Sequence, residues 1–320
     1  MKKYSKKIFI AGHSGMVGRA LSKQLEGMPF KIITRTHSDL DLTDQYKVSR
    51  FFEVEKPDEV YIAAGKVGGI YANTTFPADF IYDNIMIQTN IINSAFRNGV
   101  KKLLFIGSSS IYPKLSKQPM KEEYLMTGSL ELSNEAYSIA KISGIKMCES
   151  YNNQYGEKFG ISYRAVMPTN LYGIGDSYHE KNSHVVPALI SRVHNAKENN
   201  QPIVVWGTGK ARREFLYVDD LASASIFIMN IDAEAYKNFS DLNGNHLNVG
   251  YGKDVSIEEL VQSIADVVGF KGEIKYDSSK PEGVNRKLLD STKLNQLGWK
   301  PKITLEEGLK NTYADFLARS

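Results

Sequence analysis

Three stretches of the chain carry side chains able to do chemistry together. Residues 107–113 read GSSSIYP, three hydroxyls in a row directly after the apolar run KKLLFI. Residues 137–141 read YSIAK; on a helix, positions i and i+4 share a face, so Tyr137 and Lys141 point the same way. A phenol is a poor acid–base catalyst at its reference pKa of about 10, and an ammonium beside it draws that value toward neutrality. A serine hydroxyl such as Ser108, at the end of a strand, would orient a substrate oxygen for that pair. Residues 12–18 read GHSGMVG, a GxxGxxG spacing that follows a strand and opens a helix. Gly12 permits the tight turn, Gly15 lets backbone N–H groups approach a pyrophosphate, and Gly18 lets helix and strand pack closely. Gly12, Ser14, Gly15, Met16, Val17 and Gly18 are the candidate phosphate cradle. Each motif has a plainer reading, a surface Tyr with a solvated Lys or an ordinary Gly-rich turn, and the surrounding pattern decides between them.

That pattern alternates. Short β-rich runs (KIFIAG, KIITRT, EVYIAAG, KLLFIGSSS, ISYRAVMP) are separated by longer amphipathic runs. Alternation of this kind predicts right-handed βαβ units and a parallel sheet covered on both faces. The predicted fold is therefore α/β, a doubly wound parallel Rossmann sheet over residues 1–170. A returning segment is expected near 213–250, with VDDLASASIFIMN as a helix. Residues 171–320 mainly form a smaller α/β substrate-binding lobe, rich in turns. EAYKNFSDLNGN reads as an exposed loop. In this fold ligands bind at the carboxyl ends of the strands, where Ser108 stands. Arg35, at the end of the second strand, would accommodate a 2′-phosphate and so favours NADP(H) over NAD(H). Asp41, in DLTD, places a carboxylate near the adenine.

Composition narrows the classes. The chain has 320 residues, a net charge of +4 and one cysteine, Cys148, so no internal disulfide forms and a reducing cytoplasm is the expected setting. Cys148 reads as a small buried hydrophobe. The Lys-rich start reads as a solvated edge, and neither nucleic acid nor membrane is an expected partner. The six histidines show no metal-ligand spacing, and Asp219 and Asp220 read as helix caps.

With GxxGxxG, Ser108 and YSIAK in place, the chain resembles the extended short-chain dehydrogenase/reductases. The segments KVGGIYANTTFPADFIYDN, GSSSIYPK, NSHVVPALI, REFLYVDD and RKLLD are similar to those of the GDP-L-fucose synthase family, the GDP-4-keto-6-deoxymannose 3,5-epimerase-4-reductases. The resemblance runs from about residue 7 to the end. It implies that Ser108, Tyr137 and Lys141 reduce a C4 ketone of a GDP-sugar with NADP(H). It further implies that Ala63, Pro168, Thr169, Asn170 and Leu171 lie beside the cofactor, Asn170 also facing substrate. His184 would act as an acid in epimerisation, and Arg192, Trp206, Arg213 and Lys287 would hold the nucleotide diphosphate and base. The helices near 78–99 and 134–156 would pair across a homodimer.

Two positions depart from the family. Ser110 stands in the catalytic set where the family has cysteine. A thiol ionises near neutrality with help from a cation, whereas a hydroxyl needs a dedicated base. Reduction is expected to survive, with epimerisation weak, absent or moved to another residue. Ser14 and His37 replace family arginines near the cofactor, which leaves Arg35 as the expected cation. Three alternatives stay open: a C4-reductase without epimerase activity on a GDP-4-keto-6-deoxy-sugar or heptose, a UDP- or dTDP-sugar epimerase, and a non-catalytic nucleotide-binding protein.

Overall fold

The computed structural model describes residues 5–179, 183–239, 246–280 and 283–319. The first half runs β1 (Lys6–Ala11), α1 (Met16–Leu25), β2 (Phe30–Ile33), α2 (Gln45–Glu55), β3 (Glu59–Ile62), α3 (Ile70–Thr75), α4 (Pro77–Arg97), β4 (Lys102–Ile106), α5 (Glu135–Phe159) and β5 (Ser162–Pro168). There follow β6 (Asn170–Tyr172), α6 (Val185–Glu198), β7 (Ile203–Trp206), β8 (Arg212–Tyr217), α7 (Val218–Asn230), α8 (Ala233–Phe239) and β9 (His246–Val249). The chain ends with β10 (Asp254–Ser256), α9 (Ile257–Val268), β11 (Ile274–Asp277), β12 (Arg286–Lys287), α10 (Thr292–Gln296) and α11 (Leu305–Arg319).

Six strands form one sheet in the order β2-β1-β3-β4-β5-β9, and every pairing in it is parallel. Side chains alternate faces along a strand, so β1 feeds two cores. Phe9 and Ala11 join Phe51, Phe52, Ile91 and Phe105 under α2, α4 and α5. Ile8 and Ile10 join Leu21, Leu221 and Ile228 under α1 and α7. Burial of each such Leu, Ile or Phe is worth roughly 1.5–3 kcal/mol, so both layers are held by packing. A third core lies among α6, α9, α11, β7 and β8. There β8 pairs with β6, β10 and β12, and β11 pairs with β7.

α5 must sit close to β4 for Tyr137 to meet Ser108. Gly144 permits this, because a Cβ there would lie 2.5 Å from the Phe105 ring. Gln88 on α4 then donates to Ala140 O at 2.6 Å and to Ser143 Oγ at 2.7 Å, which fixes the helix along its axis. α9 starts with a full capping box between Ser256 and Glu259 and stops at Gly269, whose φ of 75° suits glycine.

The architecture departs from the sequence reading in two places. EAYKNF is no loop: it forms most of α8, drawn in because Arg164 stacks on the buried Tyr236 ring at 4.5 Å. SDLNGN lies outside the described residues. Asp219 and Asp220 do not cap α7, whose N-cap makes no side-chain bond. Instead the Asp220 carboxylate accepts from the N–H groups of Lys302 and Ile303. Cys148 is buried, as expected of a small hydrophobe. No helix among the described residues is long and apolar enough to cross a membrane.

Candidate active site

The turn after β1 is built for an anion. Gly12 has φ +85°, and a Cβ on it would meet the Ala64 backbone at 2.6 Å. A Cβ on Gly18 would come within 2.1 Å of Gly12 O, so no other residue fits between helix and strand. Gly15 is the N-cap of α1 and makes no side-chain capping bond, and its N–H bonds Gly12 O at 3.1 Å. The N–H groups of Met16, Val17 and Gly18 therefore lead the helix dipole without side-chain competition. Arg19 Nε donates to Ser14 O at 2.8 Å and pins the loop. This cradle, closed to side chains and lined with N–H donors, fits a dinucleotide pyrophosphate. Ala63 follows β3 directly, its N–H on Ala11 O at 3.0 Å.

Near the end of β2 the expected cation, Arg35, is engaged within the protein. Its guanidinium pairs with Glu55, donates to Thr34 O at 2.8 Å and lies 5.3 Å over the Phe51 ring. A 2′-phosphate would have to draw it from Glu55. Asp41 accepts from Thr43 N at 2.9 Å and Thr43 Oγ1 at 2.7 Å, bonds that hold its pKa below the usual carboxylate value.

At the carboxyl end of β4 the hydroxyls and the YSIAK pair converge. Ser108 caps the short turn Ser109–Ile111, accepting from Ser110 N at 3.3 Å. Ser110 Oγ donates to Ser108 Oγ at 3.1 Å. Ser109 is buried. Tyr137 lies in the first turn of α5, edge-on to Phe80 with centroids 6.2 Å apart. Lys141 Nζ donates to Ile106 O at 3.0 Å and sits 5.8 Å from the Tyr137 ring centre. Desolvation pushes the Tyr137 phenol up to about 12, while a hydrogen bond with Ser108 pulls it the other way. Desolvation also brings Lys141 down to about 8. The pair is thus a protonated phenol beside an ammonium close to its titration point.

The next strand links this centre to the second lobe. Pro168 ends β5 opposite Val249. Thr169 Oγ1 and Asn170 Nδ2 donate to Glu214 O at 3.2 and 2.8 Å, and Leu171 continues β6 alongside Leu216. Arg213 on β8 stands in register with Lys287 on β12. Burial and then the Arg213 charge bring Lys287 down to about 8. Arg192 on α6 lies 5.4 Å over the Trp206 ring, which is 55% exposed. His184 is the exposed N-cap of α6, and desolvation lowers its pKa below the ordinary histidine value.

Three residues at the site escaped sequence reading. Asn84 on α4 accepts from Lys66 N at 3.1 Å and donates to Lys66 O at 3.0 Å, locking the KVGG segment. Gly65 lets that segment approach Lys141; a Cβ there would lie 3.4 Å from Nζ and 2.8 Å from Asn84 Oδ1. Glu214 is fully buried, and its carboxylate accepts from Gly252 N at 2.7 Å and Leu289 N at 3.0 Å. A signal for Asn84 did exist: Asn84 and Gln88 are polar residues four apart that α4 buries.

Fold and side-chain arrangement define the class, an oxidoreductase on a doubly wound parallel sheet. The chain belongs to the NAD dependent epimerase/dehydratase family, whose model matches residues 8–250. It is 55% identical to a GDP-L-fucose synthase of Escherichia coli (strain K12), over 97% of this chain and 96% of the relative. Among solved structures, a GDP-6-OMe-4-keto-L-xylo-heptose reductase from C. jejuni matches with a TM-score of 0.92 and 37% identity, covering 100% of this chain and 99% of that one. A GDP-mannoheptose C4 reductase from Campylobacter jejuni with NADP bound matches with a TM-score of 0.87 and 40% identity, covering 99% of both chains.

Proposed function

We propose that the protein reduces the C4 ketone of a GDP-4-keto-6-deoxy-hexose, as a GDP-L-fucose synthase-like reductase that uses NADP(H). The observation that carries this is the convergence of Ser108, Tyr137 and Lys141 at the carboxyl end of β4. The Gly-rich cradle and the C4 reductase relative with NADP bound support the cofactor. The GDP-sugar relatives support the substrate class.

When bound, NADPH supplies the hydride that adds to C4. Ser108 donates a hydrogen bond to the ketone oxygen, and Tyr137 gives that oxygen its proton. Lys141 as the ammonium stabilises the phenolate left behind and recovers a proton from solvent for it. The products are the C4 alcohol and NADP⁺. Arg213 and Lys287, adjacent on paired strands, take the diphosphate, with Arg192 and Trp206 flanking the base. Asn170 faces both ligands.

Ser110 carries no proton abstraction at C3 or C5 in this reading, since its hydroxyl is committed to Ser108 and no base is bonded to it among the described residues. A second reading, the full 3,5-epimerase-4-reductase, draws support from His184. Its lowered pKa favours the neutral imidazole, which would then serve as the base in place of a thiol and not as the acid, and the E. coli relative is a GDP-L-fucose synthase. A homodimer joined through α4 and α5 belongs to the same proposal, on the exposed Tyr82 and Ile139 of those helices. So does a cytoplasmic setting, on the single buried cysteine. Incubating the protein with NADPH and GDP-4-keto-6-deoxymannose tests the reading: NADPH is oxidised in step with loss of the ketone. Thermal shift by GDP exceeding that by UDP or dTDP tests the base, and an equal shift by all three overturns the GDP assignment.

A further inference from the structure

A serine hydroxyl has one hydrogen to donate and two lone pairs to receive. Both lone pairs of Ser108 are taken by one neighbour. Ser110 N–H reaches Ser108 Oγ at 3.3 Å and Ser110 Oγ–H reaches it at 3.1 Å. Ser110 is only 7% exposed, so water does not compete well for its hydrogen.

We propose that Ser110 is a positioning residue for ketone reduction: it fills the acceptor sites of Ser108 and leaves Ser108 a donor only, aimed at the substrate oxygen. This rests on the reductase reading above. Two consequences follow from hydrogen-bond arithmetic. Ser108 has no free acceptor for the Tyr137 hydrogen, so the phenol keeps its proton for the ketone. A hydroxyl that accepts two bonds is also polarised into a stronger donor. The Ser108 hydroxyl already pulls the Tyr137 phenol downward in the ligand-free protein, and in the proposal a ketone oxygen between the two groups receives its hydrogen.

The plainer account treats Ser110 as a small residue in a turn. The turn itself needs only the Ser110 N–H, which caps it through Ser108. An alanine retains that N–H, so S110A removes the side-chain donor and leaves the cap. Cysteine offers a weaker S–H donor, so S110C falls between serine and alanine for reduction, whatever it does elsewhere in the reaction.

Steady-state reduction of GDP-4-keto-6-deoxymannose by the wild type, S110C and S110A tests this, with thermal melting and NADPH titration as controls. In S110A kcat falls about tenfold, of the order expected for one lost hydrogen bond in the transition state. KM, NADPH affinity and melting temperature stay at wild-type values, and S110C is intermediate. An unchanged kcat in S110A overturns the proposal. So does a loss in kcat matched by a raised KM and a lowered melting temperature, which would mark a packing role. A neutron structure of the deuterated wild-type protein reads the same claim without substrate. It shows the Ser110 deuterium on the line to Ser108 Oγ, and a Ser110 deuterium directed elsewhere overturns the claim. If the wild type leaves NADPH unoxidised, the reductase reading fails, and the neutron map still decides the direction of the Ser110 bond.

Discussion

Tyr137 and Lys141 hold opposite protonation problems in one small volume. Desolvation keeps the phenol protonated, near 12, and brings the ammonium down to about 8. The acid form of Tyr137 therefore persists through the working range, and the charge of Lys141 is the group that titrates. The reactive state needs that charge, so kcat/KM for reduction falls as pH rises through about 8 and levels off below it. A pH–rate profile checks this. Lys141→Met removes the limb, leaving a low, flat rate. Tyr137→Phe retains NADPH binding while reduction drops by about 10²–10⁴, the usual worth of a positioned general acid, as stopped-flow NADPH oxidation would show. The Tyr–Lys pair was legible in sequence because i,i+4 spacing on a helix is a local rule. The engagement of Arg35 was not, because its partner Glu55 stands 20 positions away at the end of α2.

At the scale of elements, the site depends on close approach. β1 and α1 meet through Gly18, where a Cβ would overlap Gly12 O at 2.1 Å and His13 Cα at 2.6 Å. Both are backbone atoms with no rotamer to yield. Gly18→Ala accordingly costs about 1–3 kcal/mol of stability by overpacking and abolishes tight NADPH binding, read by urea unfolding and by NADPH fluorescence titration. The glycine loop was legible in sequence for the same reason: a turn at φ +85° restricts the residue type itself. α8 was not. Its polar composition reads as loop, and it is burial of Tyr236 in the core under Arg164 that supplies the packing for a helix.

Across the whole molecule the two lobes are joined by a residue that sequence patterning passed over. Glu214 accepts from Gly252 and Leu289 through its side chain, and from Thr169 and Asn170 through its carbonyl. Next to it stands Arg213, and two residues before Leu289 stands Lys287. Glu214→Ala strands buried N–H groups at about 1–3 kcal/mol each and lets Arg213 and Lys287, the pair proposed to take the diphosphate, drift from the proposed reductase centre. KM for the sugar nucleotide rises more than tenfold, while NADPH affinity stays within about twofold. Isothermal titration with GDP and with NADPH separates the two. The partners of the Glu214 carboxylate are main-chain groups in remote segments, and no local pattern marks a side chain whose work is to hold backbone.

The reaction carried out in heavy water tests the central claim most directly, with the protein, NADPH and GDP-4-keto-6-deoxymannose followed by NMR. The account predicts one NADPH consumed per sugar, hydrogen delivered to C4, and protium retained at C3 and C5. NADPH left unoxidised would contradict the reductase. Deuterium at C3 and C5 in a GDP-fucose product would contradict reduction alone, and would mean that epimerisation proceeds without a thiol at position 110.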